Sequence, residues 1–120
     1  FVWDELVTSD VKGAAAFYAT VAGWDVRPWE GPFAYDLFTR PSEDGGRADS
    51  AGLMARPPEM GAPPLWVAYV GVPDLRATLA RAVELGGTVH VEPMAVRGIG
   101  ELAVIGDPQG APLGLLGPEG

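Results

Sequence analysis

Residues 1–8 (FVWDELVT) alternate in the manner of a strand, with Trp3, Glu5 and Val7 on one face and Val2, Leu6 and Thr8 on the other. The period then changes. From Asp10 onward, Val11, Ala14, Ala15, Tyr18 and Ala22 recur at helical spacing and predict an amphipathic helix with one face for burial. Thr8, Ser9 and Asp10 are its capping candidates, and Gly23 is its left-handed stop. Segments 24–29, 33–40 and 48–55 read as strands, the last two joined by a turn at PSEDGG (41–46).

A second pass of the same order follows. Residues 66–72 predict a strand and 74–85 a helix with Leu75, Leu79 and Ala82 inward, ended by Gly86 and Gly87. Strands are predicted at 88–93, 100–106 and 111–117, with Pro108 at the second position of a DPQG turn. An offset of 64 residues aligns the two passes without a gap: Asp10 with Asp74, Ala15 with Leu79, Val21 with Leu85, Gly23 with Gly87. Such a repeat fixes an α+β architecture of two tandem βαβββ modules. They span 1–55 and 66–117, with a Pro-rich linker over 56–65 that is extended and stiff. A duplicated unit suggests a cleft, and clefts take ligands.

Composition narrows the classes of function. At 120 residues, 48% hydrophobic and 20% charged, the chain is of single-domain size and globular. No apolar run approaches the roughly 20 residues of a membrane span. The net charge of −8 and eight scattered Lys and Arg argue against nucleic acid. Without cysteine there is no disulfide, thiolate nucleophile or thiolate metal ligand, and a cytoplasmic setting is the default expectation. No signal peptide is read, and Phe1 in place of Met points to a processed, trimmed or excised chain. Ser9 and Ser50 have no His partner in a readable motif, and no glycine-rich loop has a phosphate-cradle setting.

Three stretches together carry a family resemblance: VTSDVKGAAAFYATVAGW, VPDLRATLARAVELGGTV, and the closing GELAVIGDPQGAPLGLL. They resemble the vicinal oxygen chelate superfamily, which includes glyoxalase I, bleomycin-resistance proteins, fosfomycin-resistance enzymes and extradiol dioxygenases. The opening W-x-E-L-x-T and the second-half W-x-x-Y are similar to the branch labelled glyoxalase/bleomycin-resistance or hydroxylase-like. The resemblance implies a curved, incompletely closed mixed sheet of eight strands around a cavity. Metal-dependent members take one ligand from each of four strands. Here the matching positions read Trp3, Val67 (Trp66 if the register slips by one) and Gly114, and the only carboxylate near the fourth is Asp49. Such a metal needs converging imidazole or carboxylate donors. The lone histidine, His90, lies between two valines and reads as a surface or packing residue; a set rebuilt from Glu5, Asp36 and Glu101 has no spacing signature. The expectation is no metal and no cofactor.

Glu5 shares a face with Trp3, which the resemblance points into the cavity. A carboxyl beside an indole in an apolar cavity is a candidate general base with a raised pKa, or else a structural acid that binds loop amides or faces a subunit contact. Tyr69 stands five residues before Asp74, as Glu5 does before Asp10, so the pair is a candidate for binding or polarising a carbonyl or phenol; core packing is the other reading of Tyr69. Trp3, Trp29, Phe33, Tyr35, Met54, Val67 and Met94 are the expected ligand-lining residues, drawn from a surplus of aromatics that includes Trp24 and Trp66. The implied function is metal-free sequestration of a small hydrophobic or aromatic molecule. The alternative is a metal-free isomerase, cyclase or lyase with Glu5 as base, and a third reading is a structural half of a tandem protein. The expected partner is a second copy or a second domain of the same kind.

Overall fold

The computed structural model describes residues 2–29, 31, 34–56 and 63–119, grouped in two units. The first unit covers 4–66. It contains β1 (Trp3–Thr8), α1 (Val11–Val21), β2 (Asp25–Pro28), β3 (Asp36–Pro41) and β4 (Arg47–Ala55), with strand order β2-β3-β4-β1. The second takes in Val2, Trp3 and everything from Val67 on. It contains β5 (Leu65–Gly71), α2 (Leu75–Glu84), β6 (Thr88–Val96), β7 (Gly100–Gly106) and β8 (Pro112–Gly117), in the order β5-β8-β7-β6. In each unit the first and last strands run parallel and the hairpin neighbours antiparallel. The fold is therefore α+β, with βαβββ written twice, as the periodicity predicts. Among the described residues no helix is long and apolar enough to cross a membrane.

Both helices open on the aligned aspartates. Asp10 accepts from the Gly13 amide at 2.9 Å and Asp74 from the Ala77 amide at 3.1 Å, each satisfying a donor that the helix leaves unpaired. α1 packs on its sheet through Val11, Ala14, Ala15 and Tyr18, over a buried core of Leu6, Phe38, Ala51 and Leu53. Ala22, expected on that face, instead caps the helix and is exposed, because the last turn ends at Val21. α2 buries Leu75 and Leu79 against Ala103 and Leu115.

The repeat drifts at the helix ends. Gly23 is left-handed as expected (φ +71°), but in the second unit the left-handed residue is Gly86 (φ +96°), not its aligned partner Gly87. The cause is helix length: α2 runs 10 residues where α1 runs 11. Strand β6 also outlasts the expected 88–93, reaching Val96, with register shifts against β7 that absorb the extra residues.

On α2, the Arg76 guanidinium grips Glu101 through two bonds of 2.9 and 3.2 Å. That hydrogen bond, with the positive charge behind it, holds the Glu101 carboxyl below the usual glutamate value. A depressed folded-state pKa stabilises above the unfolded value and is lost as pH falls through the folded one. Melting curves of the parent and Arg76→Ala should therefore differ at pH 7 and converge on acidification below the carboxylate range. A gap that persists in acid would assign the effect to packing.

Candidate functional site

Alternation along β1 sends Leu6 toward α1 and Glu5 and Val7 to the opposite face. Cross-strand pairing extends that opposite face, since residues directly opposite each other share a side. Gly52 lies opposite Glu5, Met54 opposite Val7, and Leu37 opposite Gly52. Gly52 puts no side chain on this face opposite Glu5, and it is itself buried. Glu5 is 2% exposed and Tyr35 3%. The Tyr35 hydroxyl donates to Glu5 Oε2 at 2.7 Å. A buried carboxylate is costly unless hydrogen-bonded, and this contact offsets part of that cost. Trp29 braces the tyrosine twice: its amide donates to the Tyr35 carbonyl at 3.0 Å, and the rings stand edge-to-face with centroids 5.9 Å apart.

The rim of this face is ionic. Arg27, opposite Leu37, binds Asp49 through both carboxylate oxygens at 3.0 and 2.8 Å. Arg47 reaches Asp25 at 3.3 Å and the Thr39 carbonyl at 2.8 Å. Asp49, the carboxylate nearest a family ligand position, is thus engaged by a guanidinium.

In the second unit Val67 and Tyr69 are each 1% exposed. The ring of Tyr69 stands over Gly114, its register partner on β8: a Cβ at position 114 would lie 2.4 to 2.5 Å from three ring carbons. Met94 is half-buried opposite Leu102, and the Tyr69 carbonyl accepts from the Val2 amide at 2.8 Å. His90 is exposed, its imidazole beside Gly106; Glu101 is held by Arg76. Among the described residues no three His, Asp or Glu side chains gather as a metal would need. Val67 has no donor atom and the Trp3 indole nitrogen no free lone pair for a metal, and the space over Gly114 is filled by the Tyr69 ring. The residues present do not fit the family's metal.

Glu5 and Tyr69, the candidate pair, fall in different units; within its own unit Glu5 accepts from the hydroxyl of Tyr35, 30 residues away and expected as a lining aromatic. Trp29 and Tyr35 sit with Glu5, and Met54 is half-buried on the same face. Trp3 is half-buried at the start of β1. Val67 and Tyr69 belong to the second unit with Met94, and Phe33 lies outside the described residues. Leu37, Thr39 and Gly52 were missed. The alternation of Tyr35, Leu37 and Thr39 was the available signal for two of them. Trp24 and Trp66 go to the other side of the first sheet, with Tyr18 and Phe38.

The family model described as a glyoxalase-like domain matches residues 1–116. Among curated proteins, the chain is 36% identical over 117 residues to CFP32 of Mycobacterium tuberculosis, which carries a glyoxylase name; the match covers 98% of this chain and 43% of that one. It is 32% identical over 119 residues to the anthracycline biosynthesis protein DnrV of Streptomyces peucetius, covering 91% and 43%. The chain thus spans under half the length of these relatives. Among solved structures, it is similar to a methylmalonyl-CoA epimerase variant from Streptomyces coelicolor in complex with 2-nitronate-propionyl-CoA, with a TM-score of 0.61 and 16% identity over 98% of this chain and 95% of that one.

Proposed function

Because this chain belongs to the glyoxalase-like domain family, we propose that it binds a small hydrophobic or aromatic organic molecule, without a metal, on the first unit's face opposite α1. One observation carries the reading: among the apolar side chains of Val7, Leu37, Trp29 and Met54 stands a buried, hydrogen-bonded acid, Glu5 with Tyr35. Small-molecule sites have this make-up, apolar walls with a few placed polar groups that set orientation. We place the entry at Met54, which is half-buried where Val7, Leu37 and Trp29 are buried. Its flexible thioether adapts to flat ligands. The name of DnrV, from anthracycline biosynthesis, fits an organic ligand of this kind.

The test is a titration with 2-naphthol, followed by backbone amide shifts. Saturable changes at Glu5, Val7, Leu37, Gly52 and Met54 are expected, and Met54→Ala should weaken the affinity by about tenfold, the loss of one well-buried side-chain contact. Shifts confined to other surfaces would sink the proposal.

A second reading rests on the same pair. A buried carboxylate held by a tyrosine is also the arrangement of a general base that removes a proton from a carbon acid and returns it elsewhere. The two readings part at Glu5→Gln. If the site only binds, the change leaves naphthol affinity within about threefold; if it catalyses, deuterium exchange into a bound carbon acid stops while binding persists.

A further inference from the structure

On the α1 side of the first sheet, away from Glu5, lies a pocket of about 290 Å³ lined by Asp4, Trp24, Ser50, Ala51 and Trp66. We propose that this pocket binds a small organic ammonium ion, a quaternary or protonated amine carrying an apolar substituent. Three observations converge on that chemistry.

The first is the aromatic wall. Trp24 and Trp66 stand at 75° to one another with centroids 6.0 Å apart, so the pocket has two indoles in different orientations. Both are fixed from behind. Trp24 stacks on Tyr18 at 5.7 Å, and Trp66 spends its indole N–H on the Tyr18 hydroxyl at 3.0 Å. Phe38, fully buried, touches all three rings. What Trp66 has left to offer is its π surface, and it remains 39% exposed. Indole is the strongest side-chain partner for an organic cation.

The second is the acid. The Asp4 carboxylate makes no hydrogen bond or ion pair among the described residues, in a chain where Asp25, Asp49, Glu84 and Glu101 each have an arginine. It lies on β1 two residues before Leu6, so it shares the α1 side. Among the described residues no Lys or Arg lines the pocket. The third is size: about 290 Å³ has room for a trimethylammonium-sized head with a short tail. The Ser50 hydroxyl adds a neutral polar contact at the β4 irregularity opposite Phe38 and Thr39.

Choline and 3,3-dimethylbutan-1-ol, which have the same shape with and without the positive charge, supply the test. Their binding is read from the indole N–H resonances of the four tryptophans. Saturable shifts of Trp24 and Trp66 are expected with choline, while Trp3 and Trp29 stay still. The neutral alcohol should bind at least about tenfold more weakly, the scale of a desolvated cation–π contact. Asp4→Asn, at an exposed position that does not threaten folding, should weaken choline by about fivefold and leave the alcohol unchanged. Equal affinity for the two probes, indifference to Asp4→Asn, or no saturable shift would each overturn the proposal. So would shifts of Trp24 and Trp66 that follow protein concentration without ligand, since the aromatics would then serve self-association.

Discussion

Glutamate at position 114 is expected to destabilise the second unit by about 3 kcal/mol or more, in the upper range for overpacking. The residue it replaces lies under the Tyr69 ring, which is 1% exposed and has nowhere to retreat. Position 114 is also where the family resemblance puts a metal-binding glutamate, so restoring that residue should cost stability before it offers a ligand. Denaturant unfolding of Gly114→Glu, Tyr69→Ala and the double variant separates this account from a general intolerance of charge. If the ring is the obstacle, the double variant loses less than the sum of the singles by over about 1 kcal/mol. Strict additivity would show that something else excludes the side chain.

Phe38→Ala should cost about 3–5 kcal/mol, as for other buried phenylalanines, and lower the melting temperature by roughly 10–20 °C. Phe38 is 0% exposed and its ring meets Tyr18, Trp24 and Trp66 at 5.6, 5.1 and 6.2 Å. Removing it takes the floor from the aromatic cluster, so the indole resonances of Trp24 and Trp66 should broaden or shift together. Phe17 is the control: 58% exposed on α1, its truncation should change stability by no more than about 0.5 kcal/mol. A similar loss at both positions would mean that α1 packs through a different face.

The alternation in residues 1–8 was enough to place Leu6 and Glu5 on opposite sides of β1, because period-2 patterning is a local property of the chain. The helix caps at Asp10 and Asp74 were legible for the same reason: an N-cap reaches only three residues ahead. The Tyr35–Glu5 bond was not legible. It joins a residue of β1 to one just ahead of β3, 30 residues on, and no local period encodes which hydroxyl will meet a given acid. The division of the tryptophans was equally hidden. Trp29 and Trp66 look alike as aromatics at strand positions, and only the register and the packing of α1 send one to the Tyr35 face and the other to Tyr18.

The neighbouring glycines after α2 are required for opposite reasons. Gly86 sits at φ +96° with only Pro108 within ordinary contact distance, so its constraint is one of handedness. Gly87 has an unexceptional φ, yet a Cβ there would lie 2.9 Å from the Gly106 carbonyl and 3.0 Å from that of Ala82, so its constraint is one of room. The mirror-image residue D-alanine, introduced by chemical synthesis, separates the two. At position 86 it supplies the chirality the backbone already has and removes freedom from the unfolded chain. At position 87 no side chain of the natural hand fits between two carbonyls. A variant library should therefore admit asparagine, which tolerates the left-handed region, at the first glycine and return glycine alone at the second.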